Sequence, residues 1–162
     1  YHITNDATKV KSYMEKLQST GCYQVDEATF KAIQETFSAG YLDDSATKKC
    51  IHDIYQQDNY VADTHTAVAW QVAQDYQKST QDKTPMVVLS TASPYKFSDS
   101  VLSALGEDIS DKDEFALLDK LSTLNKDKIP QGLAQLQSLP ILHNNLCAKE
   151  DMIKAVNTFL NI

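Results

Sequence analysis

The chain has 162 residues, a net charge of −7, four glycines and no arginine. The length fits one domain with a sizeable core, and the acidic balance argues against a nucleic-acid partner, which needs a basic footprint. Gly21, Gly40, Gly106 and Gly132 lie too far apart for a GxGxxG or GxxxxGK[ST] phosphate cradle, and without arginine there is no bidentate fork for phosphate or carboxylate.

The first helix is predicted on Val10, Tyr13, Met14 and Leu17, which recur on one face, with Gly21 as its stop. A second runs from about Asp26 to Phe37, with Phe30, Ile33 and Phe37 sharing a face and Gly40 closing it. Asp43, Asp44 and Ser45 open a third, lined by Thr47, Ile51 and Ile54. A fourth begins after Asp63 or Thr64 and carries Ala69, Trp70, Ala73 and Tyr76 along one side. Residues 78–85 are polar, end in Pro85 and read as a loop.

Met86-Val87-Val88-Leu89 is continuously apolar and reads as a strand buried on both faces, as in a parallel sheet. Ser93 is a good N-cap, Pro94 suits the first helical position, and Phe97, Val101 and Leu105 give a helical face that Gly106 ends. Ser110 and Asp113 resemble a capping box before Leu117, Leu118 and Leu121. The acidic stretch Asp111 to Glu114 reads as solvated caps. A short helix fits between Pro130 and Pro140, Ile141-Leu142 reads as a second short strand, and Met152 to Leu160 form an amphipathic last helix. The fold class is therefore mainly α with one or two short parallel-type strands. Residues 1–162 form one segment, helical over about 1–80 and strand–helix over about 81–162. A buried strand needs neighbours at both edges, and this chain supplies too few.

The turn Ser90-Thr91-Ala92-Ser93-Pro94 is the leading candidate site. Ligands sit beyond the carboxyl ends of strands in open α/β sheets, and hydroxyls there can bond a polar ligand atom. The plainer reading is a capped turn. The second candidate is Asp63-Thr64-His65-Thr66, with His65 in the first turn of a helix; there the plainer reading is that Asp63 caps and its neighbours satisfy backbone groups. Lys96 lies between Tyr95 and Phe97, but a lysine in a first turn normally reaches solvent. No metal is expected: His2, His52 and His143 share no ligand spacing, and neither HExxH nor CxxC occurs. Three distant cysteines, Cys22, Cys50 and Cys147, fit reduced thiols and a cytoplasmic location. No apolar run approaches the roughly 20 residues of a bilayer span, and residues 1–6 have no signal-peptide pattern. The first residue, Tyr1, suggests a processed or excised piece.

Three stretches then resemble the threonine synthase family. Asp63-Thr64-His65-Thr66-Ala67-Val68-Ala69 is similar to its Asp-Pro-His-Thr-Ala-Val-Ala motif. Val87 to Phe97 resembles its Leu-Ser-Thr-Ala-(Ser/His)-Pro-x-Lys-Phe motif. Residues 37–44 and the ending from Leu139 also look like that family. Thr64 stands where the family usually has proline, and threonine can cap instead. The resemblance covers nearly the whole chain but only the C-terminal third of the enzyme, a fragment of the α/β fold-type II fold. It implies a lyase that uses pyridoxal 5′-phosphate to convert O-phospho-L-homoserine and water to L-threonine and phosphate. It puts on Thr91 the hydrogen bond to the cofactor's pyridine nitrogen. The Schiff-base lysine and the phosphate-gripping loop lie upstream, so Lys96 takes no such role and no catalytic residue is expected here. Alone, the segment is expected to be inactive, not to bind the cofactor, and to self-associate through its strand edge. The alternative is a free-standing helical interaction module without catalysis.

Overall fold

An aspartate side chain caps five of the helices in the computed structural model of the protein, which describes residues 1–110 and 112–162; Asp111 of the acidic stretch lies outside them. Asp6 precedes α1 (Ala7–Thr20), Asp26 precedes α2 (Glu27–Gln34), and Asp43 precedes α3 (Asp44–Asp58). Asp63 precedes α4 (Thr64–Thr80), and Asp113 precedes α6 (Glu114–Leu124). In each case the carboxylate accepts a backbone N–H of the first turn, a donor the helix leaves without an internal partner. A 3₁₀ turn, Pro94–Phe97, leads into α5 (Ser98–Ala104). The short α7 (Gln131–Ala134) and the final α8 (Met152–Leu160) complete the order.

The core forms where α3 packs on α4 and on α5, and α5 packs on α6. Cys50, Ile51 and Ile54 of α3 meet Val101 and Leu102 of α5 and Leu117, Leu118 and Leu121 of α6. Val61 and Ala62 on the α3–α4 link and Ala67 of α4 close it. Ile51, Val101, Leu102 and Leu121 are fully buried, and removing water from these side chains drives this packing.

Both strands expected from the sequence are absent among the described residues. Met86–Leu89 has no backbone partner there, and Val87 and Leu89 are 84% and 71% exposed. A strand is defined by its ladder, and no second segment lies alongside to make one. Only Val88 turns partly inward. Ile141 and Leu142 likewise stay exposed and unpaired. The mainly helical expectation holds, and the parallel-type strands do not.

Smaller corrections follow the same logic. The apolar faces of α1 and α2 exist but lack covers: Met14, Leu17 and Phe30 are exposed, as is Phe37 beyond the end of α2. Gly21 does cap α1, with φ +77 and its N–H donating to Leu17 O at 2.9 Å. Gly40 caps nothing, because α2 stops at Gln34. It passes close to Val72 of α4 instead. On α4 the buried face is Thr66 and Ala67, while Ala69 and Trp70 are exposed. Asp113 is itself the cap of α6, and the Ser110 hydroxyl donates to Asp108. Every residue from 134 to 162, including all of α8, is exposed.

Candidate functional site

The sequence motifs meet where the first turn of α4 faces the turn after Leu89. Asp63 is 1% exposed, and its Oδ1 accepts the N–H groups of His65 at 2.9 Å and Thr66 at 3.3 Å. Its Oδ2 accepts the Thr66 hydroxyl. Thr66 Oγ1 lies 3.2 Å from Ser90 Oγ, and Tyr60 Oη lies 3.2 Å from the same Ser90 oxygen. Ile54, Tyr60, Thr66, Trp70, Val88 and Ser90 enclose a cavity of about 270 Å³ beside this network.

Thr91 is exposed at the next position. Its hydroxyl has no hydrogen-bond partner among the described residues, so both its donor and its acceptor capacity face outward unused. Ser93 caps the 3₁₀ turn: its Oγ accepts Tyr95 N–H at 3.4 Å, and its carbonyl accepts Lys96 N–H at 3.0 Å. Lys96 is exposed, as a first-turn lysine should be.

His65 meets the network only at Asp63, where its backbone N–H donates to Oδ1 and its Nδ1 lies 3.4 Å from the same oxygen. Its ring is 64% exposed and packs on Phe97, with centroids 5.0 Å apart. Both line a separate groove of about 560 Å³ with Lys48, Thr47 and Val68. Lys48 Nζ donates to Ser103 Oγ at 3.1 Å. So the structure brings Ser90 together with Thr66 and Asp63, while His65 touches Asp63 and turns its ring to the other groove.

Tyr60 is the member of this network that the sequence does not announce. Nothing local marks it, since its partner Ser90 lies 30 positions away. For Asp63 and Thr66 a signal did exist: an N-cap aspartate with threonine three positions on pairs through both backbone and hydroxyl.

Cys50 is buried, and its thiol donates to Ala67 O at 3.3 Å. Burial pushes that thiol above its ordinary range. Cys22 and Cys147 are exposed and unbridged. Among the described residues no cluster of three His, Cys, Asp or Glu is placed to hold a metal ion, and no helix is long and apolar enough to cross a membrane.

Comparison with known proteins gives this geometry its context. The profile of the family described as threonine synthase, C-terminal, matches residues 66–156. Human threonine synthase-like 1 is 31% identical over 144 residues, which cover 87% of this chain and 17% of that protein. Threonine synthase of Saccharomyces cerevisiae is 31% identical over 139 residues, covering 80% of this chain and 24% of its own length. The crystal structure of pyridoxal-phosphate-bound threonine synthase from Brucella melitensis superposes with a TM-score of 0.65 at 28% identity, covering 96% of this chain and 28% of that one.

The fold is thus that of a C-terminal helical region found within larger proteins, and the chain spans only about a fifth of these two curated relatives. It belongs to the threonine synthase family.

Proposed function

We propose that this chain is the C-terminal portion of a pyridoxal-phosphate-dependent threonine synthase that makes L-threonine and phosphate from O-phospho-L-homoserine and water. The observation that carries this reading is Thr91: an exposed hydroxyl without an internal partner, in the family's motif, next to a serine held on both sides. The donor chemistry fits a pyridine nitrogen. When bound, the cofactor supplies the electron sink for loss of the substrate's phosphate.

This chain's own part is to bind and orient. With the cofactor bound, the Thr91 O–H would donate to its ring nitrogen and favour the unprotonated form, whereas a carboxylate at that place would hold a proton on it. Lys96 takes no part, being solvent-facing. The cofactor-bearing lysine and the phosphate-gripping loop belong to other parts of the enzyme, so residues 1–162 alone are inactive. They act as one segment of the fold-type II arrangement, with a helical part over about 1–80 and a second part over about 81–162. Three cysteines, an odd count, all unbridged, support a cytoplasmic location.

The experiment is threonine formation and cofactor affinity in the full-length protein that carries this region. Thr91→Val is expected to weaken cofactor binding and lower activity. Unchanged cofactor affinity in Thr91→Val rejects the role given to Thr91. A reading frame that starts near Tyr1 and forms no threonine supports a free-standing helical module instead.

A further inference from the structure

Four polar groups from three stretches of chain join around Ser90. Tyr60 comes from the α3–α4 link, Asp63 and Thr66 from the start of α4, and Ser90 from the turn. Each hydroxyl has one proton to give, and a carboxylate only accepts. Asp63 Oδ1 is occupied by two backbone N–H groups, and Oδ2 accepts from the Thr66 hydroxyl. The Thr66 hydroxyl is also aimed at Ser90 Oγ at 3.2 Å, so its one proton is shared between Asp63 and Ser90, and either oxygen of the Tyr60–Ser90 pair can be the donor. The contacts link Tyr60, Ser90, Thr66 and Asp63 in that order.

Burial makes this arrangement firm at its inner end and open at its outer end. Asp63 is 1% and Thr66 5% exposed, whereas Ser90 and Thr91 face solvent. Around the turn, Val87 and Leu89 are exposed and only Val88 is partly inside. The segment before the turn therefore has little apolar packing to hold it. The hydroxyl bridge ties the turn to the first turn of α4 across 24 positions, and α4 rests on the core through α3.

We propose that Thr66, Ser90 and Asp63 are positioning residues that fix where Thr91 presents its hydroxyl. This rests on the reading of Thr91 as the cofactor's hydrogen-bond partner. Asp63 orients Thr66, Thr66 and Tyr60 hold Ser90 from two sides, and Ser90 sets the backbone from which Thr91 projects.

The test uses the full-length apoenzyme titrated with pyridoxal 5′-phosphate, with binding followed by absorbance. Ser90→Ala breaks the bridge at an exposed residue and leaves the α4 cap intact. Its dissociation constant should rise about tenfold, equal to about 1.4 kcal/mol. Thr66→Val should do the same, and Thr66→Ser, which keeps the hydroxyl, should stay within about twofold of the parent. Combined with Thr91→Val, Ser90→Ala should add nothing, because it acts through Thr91. If Thr91→Val weakens binding but Ser90→Ala does not, or if the two losses add, the positioning role is wrong and the reading of Thr91 stands. If Thr91→Val binds the cofactor as the parent does, the reading of Thr91 itself has failed, and the positioning role with it. Should Thr66→Val fold poorly by circular dichroism, Ser90→Ala alone decides.

Discussion

The Tyr95 hydroxyl donates to the Asp127 backbone oxygen at 2.6 Å, tying the 3₁₀ turn before α5 to the loop after α6. Tyr95 is 4% exposed, whereas Asp127 is exposed, so the bond runs from the buried ring to the edge of the fold. Tyr95→Phe leaves the Asp127 carbonyl without that donor and is expected to cost about 1–2 kcal/mol in urea unfolding. A variant as stable as the parent would show that water replaces the hydroxyl at no loss.

The same residue predicts an alkaline limit. Burial pushes the Tyr95 hydroxyl above the ordinary tyrosine range. The folded state holds this proton more tightly than the unfolded chain does. Its contribution is complete below the unfolded value near 10 and fades as pH rises through the higher folded value. Ultraviolet titration should show one of the eight tyrosines ionising late, and Tyr95→Phe should remove that phase. A single phase in the parent contradicts this.

Gly40 is held to its size by Val72. A Cβ built on Gly40 would lie 2.9 Å from both Val72 methyl carbons, and the backbone there has no positive φ to explain the glycine. Gly40→Ala is expected to cost about 1–3 kcal/mol through overpacking. Val72→Ala in the same chain should recover part of that loss. Additive losses in the double variant would mean that the two side chains do not collide.

What could be read in the sequence was what is local. Asp26, Asp43 and Asp63 are legible as helix starts because a cap and the N–H groups it accepts lie within three positions. The family's motif around Thr91 was legible because it is contiguous. Burial was harder, since periodicity shows which residues share a face and not what covers it. Met14, Leu17 and Phe30 lie on such faces and stay exposed. Met86–Leu89 has a strand's composition, but a ladder needs a second segment. The Tyr60–Ser90–Thr66 contacts and the Gly40–Val72 approach join residues 24 to 32 positions apart, and no short spacing encodes them.

Acid should loosen the N-terminal helix first. Lys9 Nζ of α1 donates to Asp26 Oδ2 at 2.8 Å, and Asp26 also caps α2 by accepting Thr29 N–H at 2.9 Å. The Lys9 bond, followed by those from Thr29, holds the Asp26 carboxyl far below its usual range. Its contribution is present above the unfolded value near 3.9 and is lost as pH falls through the depressed folded value. No residue of α1 is buried, so this pair is a main tether. Asp26→Asn should speed amide exchange across Ala7–Thr20 and leave the core amides of α3 and α5 unchanged. The effect should shrink at high salt, because the pair is solvent-exposed. Equal exchange in α1 of parent and variant would show that other contacts hold it.

The unpaired segment Met86–Leu89 should make the isolated chain self-associate. Its backbone N–H and C=O groups have no backbone partner among the described residues, and Val87 and Leu89 add exposed apolar surface beside them. An open row of donors and acceptors flanked by apolar side chains is a template for pairing with a second copy. Sedimentation velocity across a concentration series should show reversible growth beyond the monomer. Val87→Lys with Leu89→Lys should abolish it, since two added charges at an edge repel an incoming strand. Charged substitutions at Ile153 and Phe159, on exposed α8, should leave the association in place if the edge drives it. A monomer at every concentration, or loss of association only on changing α8, would show that the edge is not the contact.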